Sequence, residues 1–207
     1  MHGVLVLLAG LACTAADMPR WFAPIAVTDR HSTAELRLTR IGAYGAERIA
    51  RPSVPGHLHT GVDLRRPSEN YDDEPVFPAA AGVVVSVRRD GPYAQVIVVH
   101  PGTDTVWTVY EHIAGISCHL GEPVDPARPI ARFFNREELR AFGAHFDHLH
   151  FEVLKARPVP LKPTPELPER CFTTYALSCY DRPQLEQRTC DPLAFLDSVS
   201  AAGRPKR

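Results

Sequence analysis

Four stretches, GVVVSVRR (82–89), AQVIVVH (94–100), TVWTVYEHI (105–113) and HLHFEVL (148–154), are rich in valine, isoleucine and aromatic residues and are bounded by glycine, proline or aspartate. Runs of that length and makeup read as β-strands. AELRLTRIGAYG (34–45) alternates apolar and polar residues, the period of a half-buried strand. With 20 prolines and 13 glycines the chain is densely punctuated, which favours short strands and turns over long helices. One stretch reads as a helix: NREELRAFG (135–143), with Asn135 as N-cap and Gly143 as stop. Between Pro158 and Pro168 lie five prolines, which exclude a central strand and predict an extended arm. The arm leads into a cysteine-bearing tail that includes DPLAFL. The expected architecture is mainly β, two packed antiparallel sheets with one short helix and a disulfide-tied C-terminal tail.

At 207 residues and 44% hydrophobic content, the chain supports one well-buried domain and has no room for two large ones. A net charge of −1 gives no sign of a nucleic-acid or anionic-membrane partner. The stretch GVLVLLAGLACTAA (3–16) is uncharged. It is too short to span a bilayer but suits the apolar region of a secretory signal, although no lysine or arginine precedes it. GLAC before Cys13 hints at lipoprotein processing, with a glycine where leucine is usual, and a start at Met18 would leave a cytosolic protein. The signal reading predicts a periplasmic or secreted mature chain without a transmembrane segment. Removing residues 1–16 leaves Cys118, Cys171, Cys179 and Cys190. Their even number, and the crowding of three of them in a tail poor in apolar residues, predict disulfides. The expected pattern is one bridge within the tail and the remaining tail cysteine joined to Cys118; four buried free thiols are the alternative. No pair has CxxC spacing, so a cysteine–zinc knuckle is not expected.

HLHTGVDL (57–64) and DHLHFEVL (147–154) both spell His-Leu-His. In a strand, residues two apart share a face, so His148 and His150 project side by side with Leu149 and Phe151 behind them. His59 and Asp63, four apart, would stand about 13 Å from each other in a straight strand, too far for two ligands of one ion. Gly61 between them permits a bend. A bent His-x-Gly-x-Asp plus one histidine of the His-x-His makes a three-ligand set with a fourth position open, the mark of a catalytic zinc. A lone histidine is more often a surface or core residue, and His2, His31, His100, His119 and His145 fall in that class; His57 reads as a loop histidine. Glu152 reads as a group orienting a ligand from behind, and Tyr110 as core.

HLHTGVDL, PVFPAAAGVVVSV, TVYEHI and HLHFEV together closely resemble the lysostaphin-type (LytM-like) zinc metallopeptidases that cut peptidoglycan peptides. The resemblance covers roughly residues 41–154, with DPLAFL matching a frequent C-terminal edge. It implies a fold of the duplicated hybrid motif type and zinc bound by His59, Asp63 and His150. His112 and His148 are the catalytic histidines it implies, with their division of labour open. On this reading residues 1–16 are a signal peptide, 17–33 a leader, 34–155 the zinc metallopeptidase domain, and 156–207 the proline-rich arm and cysteine-bearing extension. Family members commonly carry a glycine-rich turn just before the His-x-His, where this chain has FFNREELRAFGAHFD, so the groove wall there is expected to differ. The implied activity is endopeptidase cleavage of peptidoglycan cross-links by a monomer. One alternative is a non-catalytic, peptidoglycan-binding activator of another wall hydrolase, although such proteins typically lose a zinc ligand. The turns in AAAGVVVSV and LGEPVDPARPIA also suggest a lipoyl or biotinyl carrier domain, but no lysine precedes Lys155 to be modified.

Overall fold

The structure is a computed structural model that describes residues 20–102 and 104–202. The expected signal peptide, Cys13 and the alternative start at Met18 lie outside the described residues.

The strands are β1 (Glu47–Arg48), β2 (His57–Leu58), β3 (Val62–Arg65), β4 (Pro75–Val76), β5 (Gly82–Arg88), β6 (Gln95–His100), β7 (Val106–Glu111), β8 (Ile113–Ala114), β9 (Pro123–Val124), β10 (Ala131–Phe133), β11 (His148–Leu154), β12 (Val159–Pro160), β13 (Phe172–Thr173) and β14 (Thr189–Cys190). The helices are α1 (Arg136–Phe142), α2 (Arg182–Arg188) and α3 (Pro192–Ala202). The large antiparallel sheet runs β14-β11-β7-β6-β5-β9, and β3 pairs with β11 on the same edge as β14. A second sheet has the order β4-β10-β8, and β1-β2 and β12-β13 form two-stranded ribbons. The four valine-rich runs became β5, β6, β7 with β8, and β11.

The two faces of the large sheet differ. Leu149, Phe151 and Val153 of β11, Tyr110 of β7, and Val96 and Val98 of β6 are buried in the main core. On the opposite face Leu154, Val109 and Ile97 form a smaller apolar cluster, packed by Trp107, Val85 and Phe172. Beyond that cluster the same face becomes polar. Register places Asp63 opposite His150, His150 opposite Glu111, Glu111 opposite Gln95, and Gln95 opposite Arg88. Directly opposed residues share a face, so one continuous polar row crosses β3, β11, β7, β6 and β5.

Several expectations are corrected. Residues 34–45 do not form a strand; turns interrupt them, leaving one bridge, Leu38 to Leu64, and separate hydrogen bonds with β3 through the Arg37 and Gly42 carbonyls and the Thr39 amide. In the stretch read as a leader, Trp21, Ala23 and Ile25 are buried in the main core and Ile25 bridges to Val76. Three helices are present among the described residues where one was expected, and DPLAFL opens α3. The α1 reading holds: Asn135 accepts from the Glu138 amide and Glu138 reaches back to the Asn135 amide, a capping box.

The tail is not tied by disulfides. Cys118, Cys171, Cys179 and Cys190 are all free thiols, and they sit in separate elements. The tail is held instead by backbone pairing of β14 to β11 and by burial of Leu185 and Leu196. In the arm, the Ser86 hydroxyl accepts from the amides of Cys171 and Phe172, each at 3.1 Å. Apolar contact and hydrogen bonds do the work that cross-links were expected to do.

His100 is a structural histidine that titrates. Its Nδ1 donates to the Ala81 carbonyl at 2.9 Å, and its Nε2 lies 2.7 Å from the Thr108 hydroxyl, which is 2.8 Å from that of Tyr110. Burial lowers its pKa to about 4. The folded value lies below the unfolded one, so the unfolded chain takes the proton first. The stabilisation is present above pH ~6.5 and is lost as pH falls towards 4, up to about 3 kcal/mol. In His100→Gln the drop in unfolding free energy between pH 7.5 and 4.5, measured by urea denaturation, should be smaller than in the wild type.

Candidate metal centre and catalytic site

The chain bends between β2 and β3, and His59, Thr60 and Gly61 occupy the bend outside either strand. Gly61 is required there by close approach: a Cβ would collide with the Phe151 carbonyl and with Glu152 Cγ on β11. The bend swings His59 back over Asp63. His59 Nε2, Asp63 Oδ1 and His150 Nδ1 then form a triangle with all three separations 3.0 Å. They are a group capable of holding a metal ion, all three residues being buried.

The outer partners show what these atoms face one another with. His59 Nδ1 lies 3.0 Å from the Ala43 carbonyl, which can only accept, so that nitrogen carries the proton and Nε2 presents its lone pair. His150 Nε2 lies 2.9 Å from Glu152 Oε1 and donates to it, leaving the lone pair on Nδ1. Asp63 contributes an acceptor oxygen, while its Oδ2 accepts from Arg48 Nη2 at 2.9 Å. Burial would raise the Asp63 pKa, yet the imidazoles of His150 and His59 beside it hold it well below the usual carboxylate range. Three electron-rich atoms at hydrogen-bond separation demand positive charge between them, supplied by a proton on His150 or by a metal ion. A tetrahedral ion with bonds of about 2.0–2.1 Å sets its donors roughly 3.4 Å apart, so zinc fits this triangle with a slight expansion. The demand for positive charge also acts on His150 itself. Burial would lower its pKa, but Asp63 and Glu152 push it up to about 10, so a proton competes with the metal for Nδ1.

Glu152 stands behind His150, fully buried, accepting from His150 and from the Thr60 hydroxyl on the same oxygen. Carboxylates in this position fix the tautomer and orientation of a ligating histidine. Its Oε2 has no partner.

His112 and His148 flank the triangle. His148 Nε2 is 3.6 Å from Asp63 Oδ1, and the ring centroids of His112 and His148 are 4.9 Å apart. His112 occupies the corner where the chain leaves β7 of the large sheet and enters β8 of the smaller one. There it adopts φ 64, alone among the described non-glycine residues in the left-handed region. Such strain costs of the order of 1–2 kcal/mol and persists where surrounding contacts enforce it. The contacts here are the Pro92 carbonyl, accepting from Nδ1 at 2.6 Å, and the rings of Phe146 and Tyr93 at 4.9 and 5.7 Å. The tether leaves the Nε2 lone pair free. Burial, reinforced by the neighbouring histidines, lowers the pKa of His112 to about 3; burial together with His150 and His59 lowers His148 to about 4 despite Asp63. Both rings are neutral at physiological pH.

Thus the structure brings His59, Asp63, His150, His112 and His148 into one cluster. His57 stays apart, with Nδ1 on the Pro55 carbonyl at 2.9 Å. Reading the sequence did not find Arg48, Tyr93 or Phe146, which come from loops and a short ribbon with no pattern to mark them. Glu111 also stands here, half-buried beside His112, with its pKa raised by burial to about 7.

The profile of peptidase family M23 matches residues 57–163. The chain belongs to this peptidase family. No curated protein matches it. Among solved structures it is similar to a zinc-containing peptidase from Vibrio cholerae at 24% identity, covering 65% of this chain and 37% of that one, with a TM-score of 0.44. It is also similar to the catalytic domain of the prophage-encoded M23 protein EnpA from Enterococcus faecalis at 19% identity, covering 74% and 94%, TM-score 0.41. A chain of the SpoIIIAH and SpoIIQ complex matches at 20% identity, covering 64% and 90%, TM-score 0.43.

Two expected outcomes test this geometry. Glu152→Gln should weaken zinc binding by about 10–100-fold, measured by competition with a chromophoric chelator. His112→Gly should be more stable than His112→Ala by about 1 kcal/mol in denaturant unfolding, because glycine relieves the positive φ. Equal stabilities would mean that the corner is not strained.

Proposed function

We propose that this chain is a zinc-dependent endopeptidase that hydrolyses peptide cross-links of bacterial peptidoglycan in the periplasm or outside the cell. The observation that carries the reading is the buried triangle of ligand atoms of His59, Asp63 and His150 beside two neutral histidines. Membership of a peptidase family and the uncharged N-terminal segment support it.

His59, Asp63 and His150 would hold the ion. Bound zinc supplies Lewis-acid polarisation of the scissile carbonyl and lowers the pKa of water towards about 7. The rest follows from side chains. His112, with Nδ1–H tethered to Pro92, offers Nε2 as an acceptor for the proton of the attacking water. His148, whose Nε2 lies 3.6 Å from Asp63 Oδ1, would donate to the developing oxyanion or to the leaving amine once its ring has taken up a proton. Arg48 holds the outer oxygen of Asp63 and so keeps Oδ1 turned inward. Tyr93 and Phe146 wall His112 from solvent and fix its ring plane.

Variants should separate the two roles. His150→Ala is expected to lose stoichiometric zinc and activity together. His112→Ala and His148→Ala should keep zinc while activity falls by about 10²–10⁴-fold. Digested sacculi should yield new amino groups without new reducing ends, and a chelator should abolish the release. A folded protein without stoichiometric metal by elemental analysis overturns the enzymatic reading.

A further inference from the structure

A cavity of about 390 Å³ opens beside the candidate centre, lined on one side by Arg88, Gln95 and Glu111 of the sheet and on the other by the tail between Arg170 and Ser178. Its floor is the continuation of the ligand row: Glu111, Gln95 and Arg88 stand one, two and three strands beyond His150. At a strand spacing of about 4.8 Å these positions lie roughly 5, 10 and 14 Å from His150, the reach of about two to four residues of extended peptide. Tyr93 joins the two sites, since it lines the cavity and its ring lies 5.7 Å from that of His112.

The polar groups of the cavity are unequally satisfied. Arg88 is neutralised by Asp90, with contacts of 2.9 and 3.2 Å. The side-chain amide of Gln95 is spent on Glu111. Nearby Arg89 is paired with Glu169 at 2.9 Å. Arg170, on the tail wall, has no carboxylate in ion-pair range among the described residues; Asp90 feels its charge only from a distance. The wall that carries it is fixed in place, because the next residues bond to Ser86 and Phe172 packs on the sheet. An unpaired guanidinium carried on a fixed wall of a cavity of that size is a receptor for a carboxylate.

We infer that the tail segment builds a specificity subsite in which Arg170 binds a carboxylate of the peptide, two to four residues from the bond that is cut. The inference rests on the peptidase reading above, and Arg170 acts on recognition and not on the chemical step. It gives the C-terminal extension a role in substrate choice: an acidic peptide is preferred over its amidated form.

The test compares free-acid and side-chain-amidated stem peptides with full-length wild type, Arg170→Gln and Arg170→Lys. With cross-linked dimers, Arg170→Gln should raise KM about tenfold for the free acid, leave kcat unchanged, and leave the amidated dimer unaffected. In the second arm, calorimetry measures binding of uncross-linked stem peptides, which reads the subsite whether or not the chain hydrolyses anything. Wild type should prefer the free acid by about tenfold, Arg170→Gln should lose that preference, and Arg170→Lys should keep part of it. Zinc content should be the same in all three proteins. Equal affinity of the two peptides for wild type, no binding of either, or a preference that survives Arg170→Gln each overturns the subsite. A preference that depends on Arg170 in a protein that cuts no dimer upholds the subsite and refutes the peptidase reading alone.

Discussion

The pairing of β11 with β3 on one edge and β7 on the other holds His150 opposite both Asp63 and Glu111, and the rest of the site depends on that register. A slip of one residue would turn His148 and His150 into the core and Leu149 and Phe151 into water. Leu149, Phe151 and Val153 are fully buried, each such side chain contributing about 1.5–3 kcal/mol on burial. The apolar face of β11 therefore fixes the position of its polar face. The bend at His59–Gly61 is locked by the same strand, since Gly61 lies so close to Phe151 that only a glycine fits.

The electrostatics of the centre follow from where hydrogen atoms can sit. Carbonyl and carboxylate acceptors behind His59 and His150 draw their protons outward and leave lone pairs pointing in. Asp63, gripped by Arg48 from outside, adds a negative charge to the same point. The result is a small, buried focus of negative potential next to two imidazoles that burial keeps uncharged. On the function proposed above, a neutral histidine beside a bound cation would avoid charge repulsion and retain the lone pair that proton abstraction needs. Desolvation is what keeps both rings neutral here.

What the sequence disclosed and what it hid divide along physical lines. The valine-rich runs mark strands because each has to fill a sheet face. The two His-Leu-His stretches stand out because a period of two puts imidazoles on one side, and the same period made Glu152 visible behind His150. The strand expected at 34–45 failed because alternation says which side chains are half-buried but not whether the backbone runs straight; turns interrupt it, and its hydrogen bonds to β3 and the bend never form a continuous ladder. The disulfide expectation failed because the tail's few apolar residues, Leu185 and Leu196, were undervalued as anchors, and strand pairing was invisible in a two-residue segment such as β14. Arg48, Tyr93 and Phe146 reach the site through tertiary contacts that no local spacing encodes. The positive φ of His112 was equally hidden, since it arises from the change of sheet between β7 and β8.

The tail connects these features to the centre. Phe172 covers the apolar half of the sheet face, and the Cys179 carbonyl accepts from the Leu58 amide just before the bend that carries His59. On the same sheet face the side chain of Glu152 is fully withdrawn from water. A carboxylate in a low-dielectric setting binds its donors more strongly than one at the surface. Its hold on the Nε2 proton of His150 is correspondingly firmer, and with it the inward lone pair on Nδ1. The extension that walls the neighbouring cavity thus also pairs, through Cys179, with the segment that leads into the bend carrying His59. On the proposed function, substrate contacts and metal geometry would be linked through a segment that supplies neither a candidate ligand nor a candidate catalytic histidine.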